Sequence, residues 1–365
     1  MRVEQIAGFE LHNADCLDVM RGMEAGSVDA IVTDPPYFRV KGEDWDNQWD
    51  DANHFIEWVG QLCEQFQRIL KPNGSLYFFA SPQMAARVEC EIGKRFNVLS
   101  SIVWRKGGKG RDVIGWAQKA EKEALRSWVA VTERVIFAEN YNSDNIALGG
   151  SGYDSKCDEL RGFVFEPLRA YLASERDRAG WTTRRVAEEY QKKSGSRTVT
   201  GMAGHWFERV QWVLPTAENY AWLREVLNKS GGEYLRREYE YLRREYEYLR
   251  REYEELRREY EELRRPFTVT AKDQWGDVWD FEPVMGYAGK HPCEKPQTLL
   301  RHILSASTKA GAVVFDPFMG GGSLGHACHE TGRSFIGVEK CPQNFEMACV
   351  RIEQATAQVV MFGGA

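Results

Sequence analysis

The chain of 365 residues has room for one large domain and a smaller one, and its 43% apolar content suffices for a substantial core. No run approaches the roughly eighteen consecutive apolar residues of a membrane span, and the N-terminal MRVEQIAGFELHNAD lacks the apolar core and cleavage site of a signal peptide, so a cytoplasmic protein without a membrane partner is expected. The formal charge of −6 gives no global attraction to nucleic acid, which leaves such binding to local patches: residues 103–122 carry six basic against two acidic side chains, and residues 161–211 ten against six.

From Phe9 to about Asn140, apolar runs alternate with amphipathic segments. VDAIVTDPPY reads as a buried strand ending at a Pro-Pro turn, HFIEWVGQLCEQFQRILKPNG as a helix closed by Pro and Gly, and SLYFFAS as a second strand. SIVWRKGGKG and WVAVTERVIFAEN read as strands flanking a basic glycine loop. Residues 161–228 are expected to be helical, with breaks at Gly180-Trp181, Ser194-Gly195 and Pro215. Residues 234–265 repeat a seven-residue unit. Leu235, Leu242, Leu249, Leu256 and Leu263 alternate with Tyr239, Tyr246, Tyr253 and Tyr260 as d and a positions of a long helix. Glu240, Glu247, Glu254 and Glu261 each precede an arginine by four residues, the favourable order for helix ion pairs. Whether this seam meets another chain, packs on its own protein or stays solvated is open.

From Phe267 the α/β rhythm returns, with a helix over TLLRHILSAS, the strand AVVFDPF, a helix after SLGHAC, the strand SFIGVE and a final helix from Asn344. The simplest architecture is one sheet domain built from both ends of the chain. Its expected parts are residues 1–140 as a catalytic half, 141–232 as a helical insertion, 233–265 as the heptad helix and 266–365 as a cofactor-binding half. Eight scattered cysteines without a C-x-x-C pair suggest reduced thiols, and no metal-ligand spacing is present.

Two loops carry chemistry. Asp34-Pro35-Pro36-Tyr37 follows an apolar strand, where open α/β sheets place their sites. The Asp34 carboxylate and Pro35 carbonyl could accept the hydrogens of an aromatic amine and free its lone pair. Pro35 and Pro36 stiffen the loop, and Tyr37 offers a face for a base turned out of a duplex. The bland alternative is an ordinary proline turn. The second loop, Phe318-Met319-Gly320-Gly321-Gly322-Ser323, also follows a strand and opens a helix. Gly320, Gly322 and Gly325 satisfy G-x-G-x-x-G, and Glu339, 17 residues beyond Gly322, could grip a ribose hydroxyl. Alone that pattern also fits a nicotinamide enzyme, which has no evident use for Asp34 to Tyr37.

Together these motifs resemble the amino-group DNA methyltransferases of the permuted β class, in which D-P-P-Y precedes the target-recognition region and F-x-G-x-G comes last. LHNADCLDVM, SVDAIVTDPPY, HPCEKPQTLLRHILSAS, VVFDPFMGGGSLG and RSFIGVE occur in that order. The resemblance covers residues 9–140 and 268–356. It implies a Rossmann-like α/β fold with circularly permuted motif order and S-adenosylmethionine as cofactor, without a metal. It further implies that Phe318, Gly320 and Gly322 surround the methionine part, that Glu339 holds the ribose, that Asp15 approaches the adenine amine and that Lys295 lies near the amino-acid end. Asp15 could equally cap the next helix, and Lys295 could belong to a plain Lys-Pro helix start.

The expected activity is methyl transfer to adenine N6 of a flipped-out base in double-stranded DNA, with cytosine N4 the alternative in the class. A regulator that binds DNA through the same fold without turnover is the alternative outside it. Arg105, Lys106, Lys109 and Arg111 of the basic loop are candidates for phosphate contact. The segment from LRAYLASERDRAGWTTRRVAEEY to PTAENYAWLREVL is similar in spacing to the helix-turn-helix of phage-repressor-like regulators. That similarity implies a recognition helix over Arg197 to Phe207, with Arg197, Thr198, Thr200 and His205 toward DNA and Met202, Trp206 and Phe207 partly in the core. Whether the chain forms a homodimer or serves beside a cognate restriction endonuclease the sequence leaves open.

Overall fold

The computed structural model describes residues 2–40, 42, 46–106, 123, 125–126, 128–140, 153–195, 199, 201–287 and 293–360. The chain forms two compact units, Met1–Asn145 with Arg265–Ala365, and Ile146–Arg264.

The first unit is built on strands β1 (Arg2–Ile6), β2 (Phe9–Asn13), β3 (Val28–Thr33), β4 (Leu70–Ala80), β5 (Phe96–Arg105), β6 (Thr132–Asn140), β7 (Val278–Asp280), β8 (Val313–Asp316) and β9 (Ser334–Glu339). Their order in the sheet is β1-β2-β9-β8-β3-β4-β6-β5-β7. Strands from both ends of the chain meet at its centre, where β3 pairs parallel with β8 (Ala30 with Val314, Ile31 with Phe315) and β2 pairs parallel with β9. Helices α1 (Cys16–Gly22), α2 (Ala52–Ile69) and α3 (Ala85–Ile92) come from the N-terminal part of this unit. One apolar cluster joins their inner residues, among them Phe55, Leu62 and Phe66, to Ile31, Leu76 and Phe78 of the sheet. A second cluster takes the opposite strand residues, Val32, Tyr77, Phe79 and Val314, with Leu299, Ile303, Phe345 and Ile352. That split follows from the two-residue period of a strand with both faces covered.

Two local readings are corrected. Lys71-Pro72-Asn73-Gly74, expected to close α2 with a turn, lies inside β4, which begins at Leu70 immediately after the helix. The register against β3 jumps from Val28–Leu70 to Ala30–Ser75, so the segment is an irregularity of the strand, where a proline without an N–H is tolerated. Lys71 Nζ anchors it to Asp29 Oδ1 at 2.8 Å. The helix placed after SLGHAC instead begins at Ser323, on SLGHAC itself.

At the end of β6, Glu139 is fully buried and its Oε2 accepts from Arg265 Nε at 2.8 Å. The Arg265 guanidinium also covers the rings of Phe137 and Phe267. The points where the chain leaves and re-enters the sheet unit are therefore fastened to each other.

The second unit contains α4 (Tyr153–Val164), α5 (Glu166–Arg178), α6 (Thr183–Ser194), α7 (Ala217–Leu227) and α8 (Tyr239–Leu263). Gly180 ends the α5 turn at φ 70°, and Thr182 Oγ1 caps α6 by accepting from Arg185 N at 3.2 Å. The recognition helix expected over Arg197 to Phe207 does not form among the described residues, where Gly201–Ala203 make a single 3-10 turn followed by turns. Two glycines weaken helix there, and core packing dominates. Ala203, Trp206 and Phe207 are buried, and the Trp212 indole N–H donates to Trp206 O at 2.8 Å. Met202, expected partly in the core, is half exposed.

The heptad helix starts one turn later than its repeat. Leu235 is buried at φ 55°, its N–H donating to Glu175 Oε2 at 2.6 Å and its carbonyl accepting from Arg224 Nε at 2.8 Å. These contacts pull the first repeat out of the helix despite its near-identical sequence. Leu242 and Tyr253 are buried, with Tyr246, Leu249 and Leu256 half-buried, in the same cluster as Leu168, Leu172 and Trp212. The seam thus packs on its own unit. On the outer face the pairs are Arg243 with Glu247 at 3.2 Å and Arg250 with Glu254 at 3.1 Å, the reverse of the expected order.

Candidate active site

The chain crosses from β3 toward β4 on one side and from β8 toward β9 on the other, so the boundary between β3 and β8 is a switch point, the place where open α/β sheets set their ligand sites. Asp34 follows β3 directly. The loop Asp316 to Gly322 follows β8, and Glu339 ends β9. Parallel pairing brings these three carboxyl-terminal ends side by side.

Asp34 is held on both oxygens. Its Oδ1 accepts from the Tyr37 hydroxyl at 2.7 Å, and its Oδ2 is bound by the Lys295 ammonium. Glu133 of β6 stands beside them, with Oε2 3.2 Å from the Tyr37 oxygen and 3.5 Å from Lys295 Nζ, while Oε1 pairs with Lys106. The Lys295 ammonium is also boxed by the rings of Phe79, Tyr37 and Trp104, with centroids 5.0, 5.8 and 5.9 Å away. Aromatic faces replace part of the hydration that burial removes.

Burial pushes the Asp34 carboxyl above its ordinary range, against the pull of Lys295. Burial acts on Glu133 in the same sense, but Lys295 and Lys106 together hold it below its ordinary value. Burial also opposes the charge of Lys295, which Asp34 and Glu133 nonetheless keep above the usual lysine range. The two ammonium groups on Glu133 thus favour its charged form. Tyr37 is pushed well up by burial and then by Asp34, and stays a neutral donor.

The glycine loop takes backbone conformations that side chains resist. Gly320 has φ 51° and Gly322 φ 77°. A Cβ on Gly322 would lie 3.0 Å from Ala348 Cα in the last helix, Pro342–Val360. Glu339 Oε2 accepts from Gly320 N at 3.1 Å and its Oε1 from Cys341 N at 2.7 Å, which ties the loop to the end of β9. Burial raises the Glu339 carboxyl. Phe318 is half-buried against the first core cluster, its ring 5.6 Å from that of Trp58. Asp316 is buried, accepts from Phe318 N at 3.0 Å, and is pushed up to about 8 by burial.

That last shift makes a prediction. Between about pH 4 and pH 8 the folded chain keeps a proton on Asp316 that the unfolded chain has released, so this group makes stability fall as pH rises through the window. Asp316→Asn should flatten the curve by up to roughly 1.4 kcal/mol per pH unit there. Denaturant melts of both proteins from pH 4 to 9 check this, and parallel curves would contradict it.

The remaining candidates fall differently. Asp15 caps α1, accepting from Leu17 N at 3.0 Å, and pairs with Lys340 at 3.1 Å. Lys295 sits against Asp34 and Glu133, at the acceptor loop. Its segment is braced by Arg351, which donates to Glu294 Oε2 at 3.0 Å, to the Tyr287 oxygen at 2.6 Å and to Ser323 Oγ at 2.8 Å. Arg105 forms a two-pronged pair with Asp280 at 2.5 and 2.8 Å, and Lys106 turns to Glu133. His205, in the helical unit, is partly exposed, 3.8 Å from Glu208. Lys109, Arg111, Arg197, Thr198 and Thr200 lie outside the described residues. Sequence inspection missed Glu133 and Asp316. The available signal was a carboxylate inside or ending an apolar strand, TERVIFAE and VVFDPF, where a buried charge needs a reason.

A family model of DNA methylases, N6_N4_Mtase, matches residues 28–349. The DNA adenine methyltransferase YhdJ of Escherichia coli (strain K12) is 23% identical over 347 residues, covering 94% of this chain and 82% of that protein. Type II methyltransferase M.HpaI of Haemophilus parainfluenzae is 21% identical over 351 residues, covering 93% and 73%. Type II methyltransferase M2.DpnII of Streptococcus pneumoniae is 41% identical over a shorter stretch of 83 residues, 22% of this chain and 31% of that one. Among solved structures, the M1.HpyAVI-SAM complex superposes with a TM-score of 0.47 at 16% identity, covering 94% of this chain and 98% of that chain. The family match extends from the strand before Asp34, past the glycine loop and Glu339, into the last helix, and the chain belongs to the N6_N4_Mtase family of DNA methylases.

Proposed function

We propose that the chain transfers a methyl group from S-adenosylmethionine to the N6 amine of adenine, on a base turned out of double-stranded DNA. The observation that carries this reading is the partly buried Asp34 acceptor at the end of β3, set beside a glycine loop on the adjacent strand. Adenine is favoured over cytosine by the relative from Escherichia coli, which is named a DNA adenine methyltransferase and aligns over most of both chains.

The residues fit the cofactor's chemistry. Asp316 and Glu339, two carboxyls driven toward their neutral forms by burial, flank Gly320 and Gly322, and a ligand carrying sulfonium and ammonium charges would favour their ionised forms. Phe318, Gly320 and Gly322 would hold its methionine part and Glu339 its ribose, and when bound it supplies an electrophilic methyl group. The protein's own part is at the amine. Asp34 and the Pro35 carbonyl accept its hydrogens and turn its lone pair out of conjugation with the ring, in a loop stiffened by Pro35 and Pro36. The helical unit is assigned target selection, and the basic stretch of sequence from Arg105 to Arg111 contact with phosphates.

Modified-base sequencing of DNA from cells expressing the protein tests this. N6-methyladenine at one short motif is expected. N4-methylcytosine would transfer the assignment to the other amine, and unmodified DNA bound at discrete sites would indicate a regulator without turnover.

A further inference from the structure

Among the described residues, the two donors on Asp34 have a second acceptor within reach, and it is the same atom. The Tyr37 oxygen lies 2.7 Å from Asp34 Oδ1 and 3.2 Å from Glu133 Oε2. The Lys295 ammonium binds Asp34 Oδ2 and stands 3.5 Å from that same Glu133 oxygen. A hydroxyl has one hydrogen and can serve one acceptor at a time. As described, each Asp34 oxygen already accepts one of these donors, so an incoming amine hydrogen would have to share its oxygen with a hydroxyl or an ammonium.

Building on the methyl-transfer reading, we propose that Glu133 is a positioning residue that takes the Tyr37 hydroxyl and the Lys295 ammonium away from Asp34 when the target amine enters. The displacement is small. The hydroxyl hydrogen turns from one carboxylate to the other, and the ammonium closes from 3.5 Å to the usual ~2.8 Å of a charged pair. The aromatic box of Phe79, Tyr37 and Trp104 attracts the ammonium without directional demand, so it tolerates the shift. Asp34 is then left with unshared lone pairs in a site of low dielectric, where its bonds to the amine are strengthened.

Lys106 extends the device outward. It pairs with the other oxygen of Glu133 and opens the basic stretch of sequence Lys106 to Arg111. A phosphate that drew Lys106 away would leave Glu133 a stronger acceptor for Tyr37 and Lys295, so that bound DNA would help clear Asp34. The ammonium groups of Lys106 and Lys295, one on each oxygen, favour the charged form of Glu133, which suits this part because a protonated carboxyl would have less to offer either donor.

Glu133→Gln keeps the shape and removes the charge. Methyl transfer from labelled S-adenosylmethionine to unmethylated bacteriophage DNA should fall about 10- to 100-fold in a single turnover, the scale of one lost charge-assisted hydrogen bond. Affinities for DNA by filter binding and for cofactor by calorimetry should change less than about threefold, a loss confined to kcat. Glu133→Asp should recover part of the rate. In a Tyr37→Phe background there is no hydroxyl to rehouse, so Glu133→Gln should cost distinctly less than in the wild type. A wild-type rate for Glu133→Gln, or equal losses in both backgrounds, would overturn the proposal. Should Glu133→Gln fail to fold, the same cycle with Glu133→Asp decides. Failure of the methyl-transfer reading is separate, because wild-type protein would then leave the DNA unlabelled.

Discussion

Replacing Asp34 by alanine should cut methyl transfer by at least about a thousandfold while cofactor affinity stays within about threefold, because the two halves of the site are built on different strands. Asp34 is the carboxylate at which the hydroxyl of Tyr37 and the ammonium of Lys295 converge, so its loss removes the acceptor itself. The glycine loop is fixed independently, by Glu339 on Gly320 N and Cys341 N and by the contact of Gly322 with the last helix. Lys295 retains Glu133 as a counter-charge in the variant, which limits the damage to folding. Asp34→Asn, which keeps the volume, should lose nearly as much, since an amide presents one acceptor in place of two. Single-turnover transfer and calorimetry with S-adenosylmethionine read the two halves separately. Undiminished transfer by either variant would end the assignment of Asp34.

Gly322→Ala should be damaging for two reasons at once. The residue sits at φ 77°, which costs an L-residue about 1–2 kcal/mol. Its new methyl would also meet Ala348 at 3.0 Å from Cα, 3.1 Å from Cβ and 3.3 Å from the carbonyl oxygen. Those are largely backbone atoms of a packed helix and cannot swing aside, so overpacking adds about 1–3 kcal/mol more. Gly332 is the internal control. It has φ 69° but nothing within 4 Å of an added Cβ, so Gly332→Ala should show the conformational cost alone. Thermal melts should therefore rank Gly322→Ala well below Gly332→Ala, with cofactor affinity lost about tenfold or more only in the former. Equal melting temperatures would mean that the loop does not need its approach to the last helix.

Much of this architecture was legible because its central strands are short apolar runs bounded by turn residues. VDAIVT, SLYFFA, VVFD and SFIGVE announce themselves by pattern, and the chemistry follows directly at Asp34 and at the glycines after β8. The misreadings share one cause, local signals overridden by tertiary contacts. Pro72 and Gly74 look like a helix stop, but Asp29 and the strand pairing around them carry the chain through. The first heptad repeat has nearly the sequence of its successors, yet Glu175 and Arg224 seize the backbone of Leu235 and delay the helix to Tyr239. The expected recognition helix gave way to the burial of Trp206 and Phe207. Glu133 was invisible for a different reason. It is 99 residues from Asp34 along the chain, and only the antiparallel return of β6 beside β4 brings it to Tyr37 and Lys295.

The central claim is that a methyl group goes to an exocyclic amine at Asp34, and nucleoside mass spectrometry tests it most directly. Unmethylated DNA would be incubated with the protein and methyl-deuterated S-adenosylmethionine, digested to nucleosides and resolved. The label is expected in N6-methyldeoxyadenosine with wild-type protein and absent with Asp34→Ala. Label on a ring carbon such as cytosine C5, or equal label from the Asp34→Ala variant, would contradict it.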